Sequence, residues 1–233
     1  MAIPLYLAMT AAEFRRNTAL PKYPAWLSCL FSPYSTGLSN IPAQLPPGSL
    51  LILSDRTPVC GHDPKLVKAQ LEEAIARLCC SAVLLDLQRT GCDAAMTIAK
   101  ELTALPCPTA VSQAYAGIID CPVFLPPVPP DVPLEEYLQP WDDREVWLEM
   151  AMDSMVIKLT GQGAEYCLRP VGGQTDTGRR DETLHCHYTI RTEGDIAEFT
   201  LFRTREDTVD LLEEAEKLGV KLAVGLYQEL GVP

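Results

Sequence analysis

The sequence predicts an α/β fold, a TIM-type (β/α)8 barrel in which eight parallel strands alternate with helices. Eight short apolar runs recur along the chain, and helical patterns separate several of them. Parallel strands are buried on both faces, so continuous apolar runs of this kind are typical of them. The runs are Pro4 to Met9, Ala25 to Phe31, Ser49 to Leu53, Ala82 to Leu87, Pro108 to Val111, Pro122 to Leu125, Val146 to Ala151 and Lys221 to Tyr227. We expect one barrel domain over residues 1–233.

Three stretches between the runs have helical patterns. Asp63-Pro64 is a typical helix start, and a stripe of apolar residues at helical spacing follows it. A second helix is predicted from Cys92 to Leu105. A third begins with a T-x-x-D capping box at Thr204 and ends at Gly219. The second, fifth and sixth crossovers are short or rich in Pro and Gly, so we expect an incomplete ring of helices.

Residues 155–202 predict a small antiparallel β insert before the last helix. Turn-linked apolar runs replace the alternation of strands and helices there. The four expected strands are Val156 to Leu159, Ala164 to Leu168, Leu184 to Arg191 and Ile196 to Phe202. A hairpin turn is expected at Arg191 to Asp195, and the polar stretch Gly172 to Asp181 is expected to be the most mobile loop.

Composition restricts the class of partner. The chain of 233 residues carries a net charge of -12, which argues against nucleic acid or an anionic membrane surface as a partner. No apolar stretch reaches the roughly 20 residues that span a bilayer. Met1 to Thr10 predicts a first strand rather than a signal peptide. The nine cysteines, an odd number at scattered positions, are expected to be reduced in the core, in a cytoplasmic protein without a cofactor.

The fourth apolar run, Ser81 to Gln88, ends in polar residues. Alternation along a strand places Leu84, Asp86 and Gln88 on one face, with the two polar groups at the C-terminal end. The active sites of barrels lie at this end of the strands. We therefore expect a central parallel strand whose Asp86 and Gln88 point into the barrel mouth.

This run resembles the fourth strand of glycoside hydrolase family 18, whose signature is D-x-x-D-x-D-x-E. Asp86 matches the third acid, but Ser81 and Leu84 replace the first two acids and Gln88 replaces the proton-donating Glu. The stretches Phe199 to Asp207 and Gly219 to Gly231 are similar to the C-terminal end of the cell-wall and spore-cortex members.

The resemblance implies a mechanism whose parts are mostly missing here. In the family, the Glu protonates the glycosidic oxygen while the N-acetyl group of the substrate attacks the anomeric carbon, oriented by an Asp. An amide cannot be a general acid, so Gln88 argues against this chemistry. In the family, a Trp on the eighth strand usually forms the base of the sugar site, and Gln228 takes its place here. The sixth strand has no Tyr to bind the acetamido group of the substrate. The implied ligand is an N-acetylglucosamine-type glycan.

Strand ends supply the candidate site residues. Asp86 with Glu149 is a candidate catalytic acid/base pair, and the alternative is a solvated or salt-bridged rim. The candidate ligand-binding residues are Asp55, Gln88, Gln113, Tyr115, Gln228 and Glu229. Arg56, Arg89 and Asp153 also follow strand ends.

Two further motifs leave alternatives open. His185 and His187, with Cys60 and His62, have donor types that zinc accepts, but ordinary strand side chains explain the pair better and we expect no metal. The Pro-rich loop from Leu125 to Pro133 is expected to be a stiff connection, with a groove on a protein partner as the alternative.

The sequence leaves three hypotheses. The first is a catalytically degenerate relative of family 18 that binds a glycan or a fragment of one at the barrel mouth. The second is an active glycosidase that uses the displaced carboxylate of Glu149 with Asp86. The third is a non-enzymatic interaction or structural protein.

Overall fold

The computed structural model describes residues 3–169 and 178–231, and in it eight parallel strands close into a barrel. The sheet runs in the order β1-β14-β8-β7-β6-β5-β4-β2, and parallel pairing of β1 with β2 closes it. A short strand, β3, pairs antiparallel with β2. The fold class predicted from the sequence is confirmed, with all eight apolar runs forming strands. The bounds are β1 (Leu5–Met9), β2 (Pro24–Phe31), β3 (Leu38–Ser39), β4 (Leu50–Ser54), β5 (Ala82–Asp86), β6 (Thr109–Ser112), β7 (Val123–Leu125), β8 (Val146–Met150) and β14 (Leu222–Leu226).

The helical ring around the barrel is incomplete, as predicted. In the part of the chain that the structure describes, three helices have ten or more residues, and the second crossover has no α-helix between β2 and β4. The helices are α1 (Ala11–Arg16), α2 (Pro64–Leu78), α3 (Asp93–Leu102), α4 (Leu134–Leu138), α5 (Arg205–Lys217) and α6 (Tyr227–Leu230). Within the described residues, no helix has both the length and the apolar character that a bilayer crossing requires.

Helix α2 shows how the sequence fixes the outer layer. The Asp63 carboxylate accepts a hydrogen bond from the Lys65 amide at 3.0 Å, and Pro64 occupies the first turn, where no amide hydrogen is needed. The helix ends at Cys79, whose φ of 53° is left-handed. The apolar stripe is buried with the outward-facing residues of β4 and β5. Its members are Val67, Leu71, Ala74, Ile75 and Leu78.

The barrel interior is filled with side chains. Successive residues of a strand face opposite sides, so Leu84 of β5 points inward while Val83 and Leu85 pack against the helices. The interior cluster contains Tyr6, Ala8, Ala25, Leu50, Ile52, Ala82, Leu84, Ala110, Phe124, Trp147, Leu222 and Val224. The barrel is therefore not a pore, and in folds of this kind the active site lies at the C-terminal end of the strands.

The insert between β8 and α5 is a five-stranded antiparallel sheet in the order β10-β9-β13-β12-β11. The four strands predicted from the sequence are present, joined by one more, β11. The predicted mobile loop at 172–181 lies mostly outside the described residues, and its last three residues belong to β11. The bounds are β9 (Ser154–Thr160), β10 (Gly163–Arg169), β11 (Arg179–Asp181), β12 (Cys186–Glu193) and β13 (Ile196–Phe202).

A buried carboxylate joins the insert to the last helix. Asp207 accepts hydrogen bonds from the Thr204 amide (2.9 Å) and hydroxyl (2.7 Å), which completes the capping box of α5. It also pairs with His187 of β12 at 2.8 Å and with Arg180 of β11 at 3.2 Å. Burial acts to raise the pKa of the Asp207 carboxyl, but the hydrogen bonds from Thr204 and His187 outweigh it, and the pKa is lowered.

Replacing Asp207 by alanine is expected to lower the free energy of unfolding by about 2 kcal/mol, because the helix cap and the partners of a buried charge are lost together. Asp207→Asn keeps the shape and is expected to cost less. Denaturant unfolding of both variants measures the difference. Glu213→Ala on the exposed face of α5 is the control, and an equal loss in that variant would contradict the argument.

The Pro-rich loop is tied to the insert by a buried cation. Arg203, which is 2% exposed, donates hydrogen bonds to the carbonyls of Val128 and Pro129 in the loop, and to those of Leu184 and His185. Burial lowers the pKa of this guanidinium. These contacts favour the stiff connection that the sequence predicts.

The structure corrects two predictions about the histidines and cysteines. His185 precedes β12, and its φ of 45° takes it out of the strand, where Nε2 lies 2.6 Å from Glu214 of α5. Cys29, Cys80 and Cys186 are buried as predicted, but other cysteines are not. Cys60, Cys79 and Cys167 are exposed, because Cys79 ends a helix and the other two lie in a surface loop and an insert strand.

Candidate functional site

A cavity of about 290 Å³ opens at the C-terminal end of the barrel strands. Two carboxylates and two amides contribute most of its polarity. The lining residues are Asp86, Gln88, Ser112, Gln113, Ala114, Phe124, Pro126 and Glu149. A larger groove, about 720 Å³, lies outside the barrel beside α1, but its only charged lining residue is Arg15. The mouth cavity is therefore the better candidate, because chemistry requires converging polar groups.

Two carboxylates line the mouth from β5 and β8. Asp86 lies two residues beyond the interior residue Leu84 on β5, and Glu149 lies two residues beyond the interior residue Trp147 on β8. Alternation therefore turns both side chains inward, each one layer beyond the last apolar interior residue of its own strand. The strands that carry them are separated by β6 and β7, so the carboxylates stand on different walls of the mouth.

The loop after β5 is held by a buried carboxylate. Asp55, which is 4% exposed, accepts hydrogen bonds from the Gln88 amide at 2.9 Å and the Arg89 amide at 2.8 Å through Oδ2. The Gln88 side chain donates from Nε2 to Asp86 Oδ1 at 2.8 Å. The Asp55 carboxylate thus fixes the main chain at residue 88. The Gln88 side chain is directed towards Asp86 at the mouth.

Glu149 has the most unusual acidity in the cavity. Burial, together with the negative charges of Asp86, Asp153 and Glu229, raises the pKa of its carboxyl from the usual 4.5 to about 7. A carboxyl with this pKa is about half protonated at neutral pH. It can therefore donate a proton, which an ordinary ionised glutamate cannot do.

Four of the eight predicted site residues line the cavity: Asp86, Gln88, Gln113 and Glu149. The other four do not line it. Asp55 binds main-chain amides, and the buried Tyr115 donates its hydroxyl to the Arg89 carbonyl at 2.6 Å. Gln228 and Glu229 lie on α6, where the Gln228 side chain hydrogen-bonds Glu13. Glu229 acts on the site through its charge on Glu149.

Sequence reasoning missed four lining residues, which are Ser112, Ala114, Phe124 and Pro126. Phe124 of β7 points inward between Val123 and Leu125, which face the helices, and it gives the cavity an aromatic wall. Period-2 alternation in this strand is a signal that could have found it. Ser112 also lines the cavity, but its hydroxyl donates to the Leu87 carbonyl and so supports the loop of Gln88.

The arrangement combines hydrogen-bond acceptors, amide donors and one aromatic face. Such a set suits a ligand with hydroxyl or amide groups. Among the described residues, no three His, Cys, Asp or Glu side chains converge as metal ligands.

The sequence matches no protein-family model and no curated protein. Solved structures, however, share the fold. The spore cortex-lytic enzyme SleL of Bacillus cereus superposes with a TM-score of 0.61 at 11% identity, covering 99% of this chain and 71% of that chain. The C-terminal domain of a putative chitinase from Desulfitobacterium hafniense gives 0.54 at 10% identity, with 99% and 94% covered. A chitinase from Chromobacterium violaceum gives 0.53 at 7% identity, with 96% and 93% covered. This chain therefore has the barrel fold of these spore cortex-lytic and chitinase structures.

Proposed function

We propose that this protein binds an N-acetylglucosamine-containing glycan, or a fragment of one, at the barrel mouth and does not hydrolyse it efficiently. The observation that carries the proposal is Gln88, which lies at the mouth beside Asp86 and occupies the position that a proton donor has in the resembling motif. A carboxamide has no proton to give to a departing oxygen at neutral pH. Asp86 of the motif is retained, while its proton donor is replaced.

The contacts of Asp86 support recognition of an acetamido or hydroxyl group. Oδ1 accepts the hydrogen bond from Gln88, and the carboxylate has further acceptor capacity for a ligand N–H or O–H. Phe124 offers an aromatic face to the apolar side of a sugar ring. The volume of about 290 Å³ is close to the lower end of typical ligand cavities, so one sugar unit rather than a long oligosaccharide would be enclosed.

Calorimetric titration with chitotriose is expected to give binding that Asp86→Asn weakens by roughly tenfold to a hundredfold, because a hydrogen bond to a charged group is lost. Cellotriose, which lacks the acetamido groups, is the matched ligand. Asp142→Asn removes an exposed negative charge before β8 and serves as the control variant. Equal affinity for both sugars, or equal weakening by both variants, would contradict the proposal.

The raised pKa of Glu149 favours a second candidate, an active glycosidase. In this case Glu149 would protonate the leaving oxygen from the β8 wall, and Asp86 would orient the substrate or activate water. The two functions differ in which residue catalysis depends on, so hydrolysis assays on variants of Gln88 and Glu149 separate them.

A further inference from the structure

Two cysteines from different loops meet at the C-terminal face of the barrel. The Sγ atoms of Cys60 and Cys92 are 2.8 Å apart, although 32 residues separate them in the chain. Cys60 lies in the loop after β4 and is exposed, and Cys92 is the residue immediately before α3 and is partly buried. Nothing in the proposed glycan site uses either thiol.

The loops that carry the two cysteines are the loops that Asp55 already joins. Asp55 begins the loop after β4, and its carboxylate binds the amides of Gln88 and Arg89 in the loop after β5. His62 fixes the far end of the first loop through the Val59 and Ser32 carbonyls. A covalent bond between Cys60 and Cys92 would therefore add to the hydrogen bonds that already bring the two loops together.

We propose that Cys60 and Cys92 form a redox-active dithiol that closes to a disulfide by exchange with a low-molecular-weight disulfide and so clamps the loop that carries Gln88. The surroundings of the two thiols differ. The hydrogen bond from Cys60 lowers the pKa of Cys92, with help from the Ala95 and Ala94 amides of α3, and the same contact raises the pKa of Cys60. In contrast, burial raises the pKa of Cys29 to about 12. Cys92 is therefore the attacking sulfur.

The exchange needs two steps and one molecule of oxidised glutathione. The Cys92 thiolate attacks one glutathione sulfur, the glutathione disulfide bond breaks, and one glutathione thiolate leaves. Cys60 then loses its proton to solvent and attacks the Cys92 sulfur, which breaks the mixed disulfide and releases the second glutathione. Two protein thiols are oxidised by two electrons, and one glutathione disulfide is reduced to two glutathione molecules.

The test treats the reduced full-length protein with oxidised glutathione in the absence of air. Mass spectrometry is expected to show the loss of two hydrogens, and peptide mapping a link between Cys60 and Cys92. Cys60→Ser is expected to stop at a stable glutathione adduct on Cys92, because the resolving thiol is missing. Cys92→Ser is expected to form no disulfide, while Cys79→Ser, which alters an exposed cysteine at the other end of α2, is expected to oxidise like the wild type.

The effect of the disulfide on the two loops can be measured without any sugar ligand. Hydrogen exchange of the backbone amides in residues 56–62 and 87–92 is expected to slow on oxidation and to recover with dithiothreitol. Retention of both thiols in the wild type, a link between other cysteines, or a persistent glutathione adduct on wild-type Cys92 would overturn the proposal. Unchanged exchange in an oxidised protein would overturn the clamp.

Discussion

Replacing Gln88 by glutamate is expected to create hydrolysis of chitooligosaccharides where the wild type has no measurable turnover. The new carboxyl would stand next to Asp86, in the place of the amide that now donates to Oδ1 at 2.8 Å. Two carboxyls at that distance cannot both ionise easily, so one of them retains a proton near neutral pH. General-acid help typically contributes about 10²- to 10⁴-fold, and we expect a gain near the lower limit because the acetamido contacts of the resembling family are missing.

The assay uses chitooligosaccharides with a fluorescent leaving group, and it compares the wild type with Gln88→Glu, Gln88→Ala and Glu149→Gln. Gln88→Ala is the matched control, since it removes the same amide without supplying an acid. A wild type that hydrolyses robustly, loses activity in Glu149→Gln and keeps it in Gln88→Ala would contradict the degenerate site. That result would establish Glu149 as the proton donor.

Replacing Glu149 by glutamine is expected to stabilise the protein in alkaline buffer and to change little in acid. The pKa of Glu149 is about 7 in the folded protein and near 4.5 when the side chain is in water. Between these two values the folded state holds a proton that the unfolded state has released. Raising the pH through this window therefore costs stability, by about 3 kcal/mol when the change is complete. The glutamine variant does not experience this loss.

Denaturant unfolding at pH 4.5 and pH 8 measures the effect. The difference between Glu149→Gln and the wild type is expected to be within a few tenths of a kcal/mol at the lower pH, and about 2–3 kcal/mol in favour of the variant at the higher pH. Glu101→Gln, on the exposed side of α3, is the control. A difference of equal size at both pH values would mean that glutamine alters packing rather than charge.

The barrel could be predicted from the sequence because parallel strands are buried on both faces. This burial produces the apolar runs that identify all eight strands, and the caps at Asp63 and Thr204 mark where two helices begin. Helix α1 also begins with a capping box, formed by Thr10 and Glu13, but it was not predicted. It has six residues and none is buried, so no apolar stripe follows the cap in the sequence.

The site was harder to predict because the end of a strand fixes a position along the barrel but not a side-chain direction. Ser54 pairs with Asp86, whose side chain lines the mouth, so the next residue, Asp55, turns towards the helices and binds main chain instead of lining the cavity. Alternation contains this information, and the same pattern would have placed Phe124 in the cavity. The contact between Cys60 and Cys92 has no such signal, because it depends on how two loops fold in space.

The hydrogen bonds between Asp55 and the main chain have a consequence for how this site can evolve. The carboxylate accepts hydrogen bonds from the main-chain amides of residues 88 and 89, whereas the side chain at position 88 donates to Asp86. The backbone there is therefore set independently of which amino acid it carries. A single-codon exchange at this position is therefore expected to change the reactivity of the pocket while the scaffold is kept. Under the function proposed above, catalysis would be one substitution away, which makes position 88 a starting point for directed evolution.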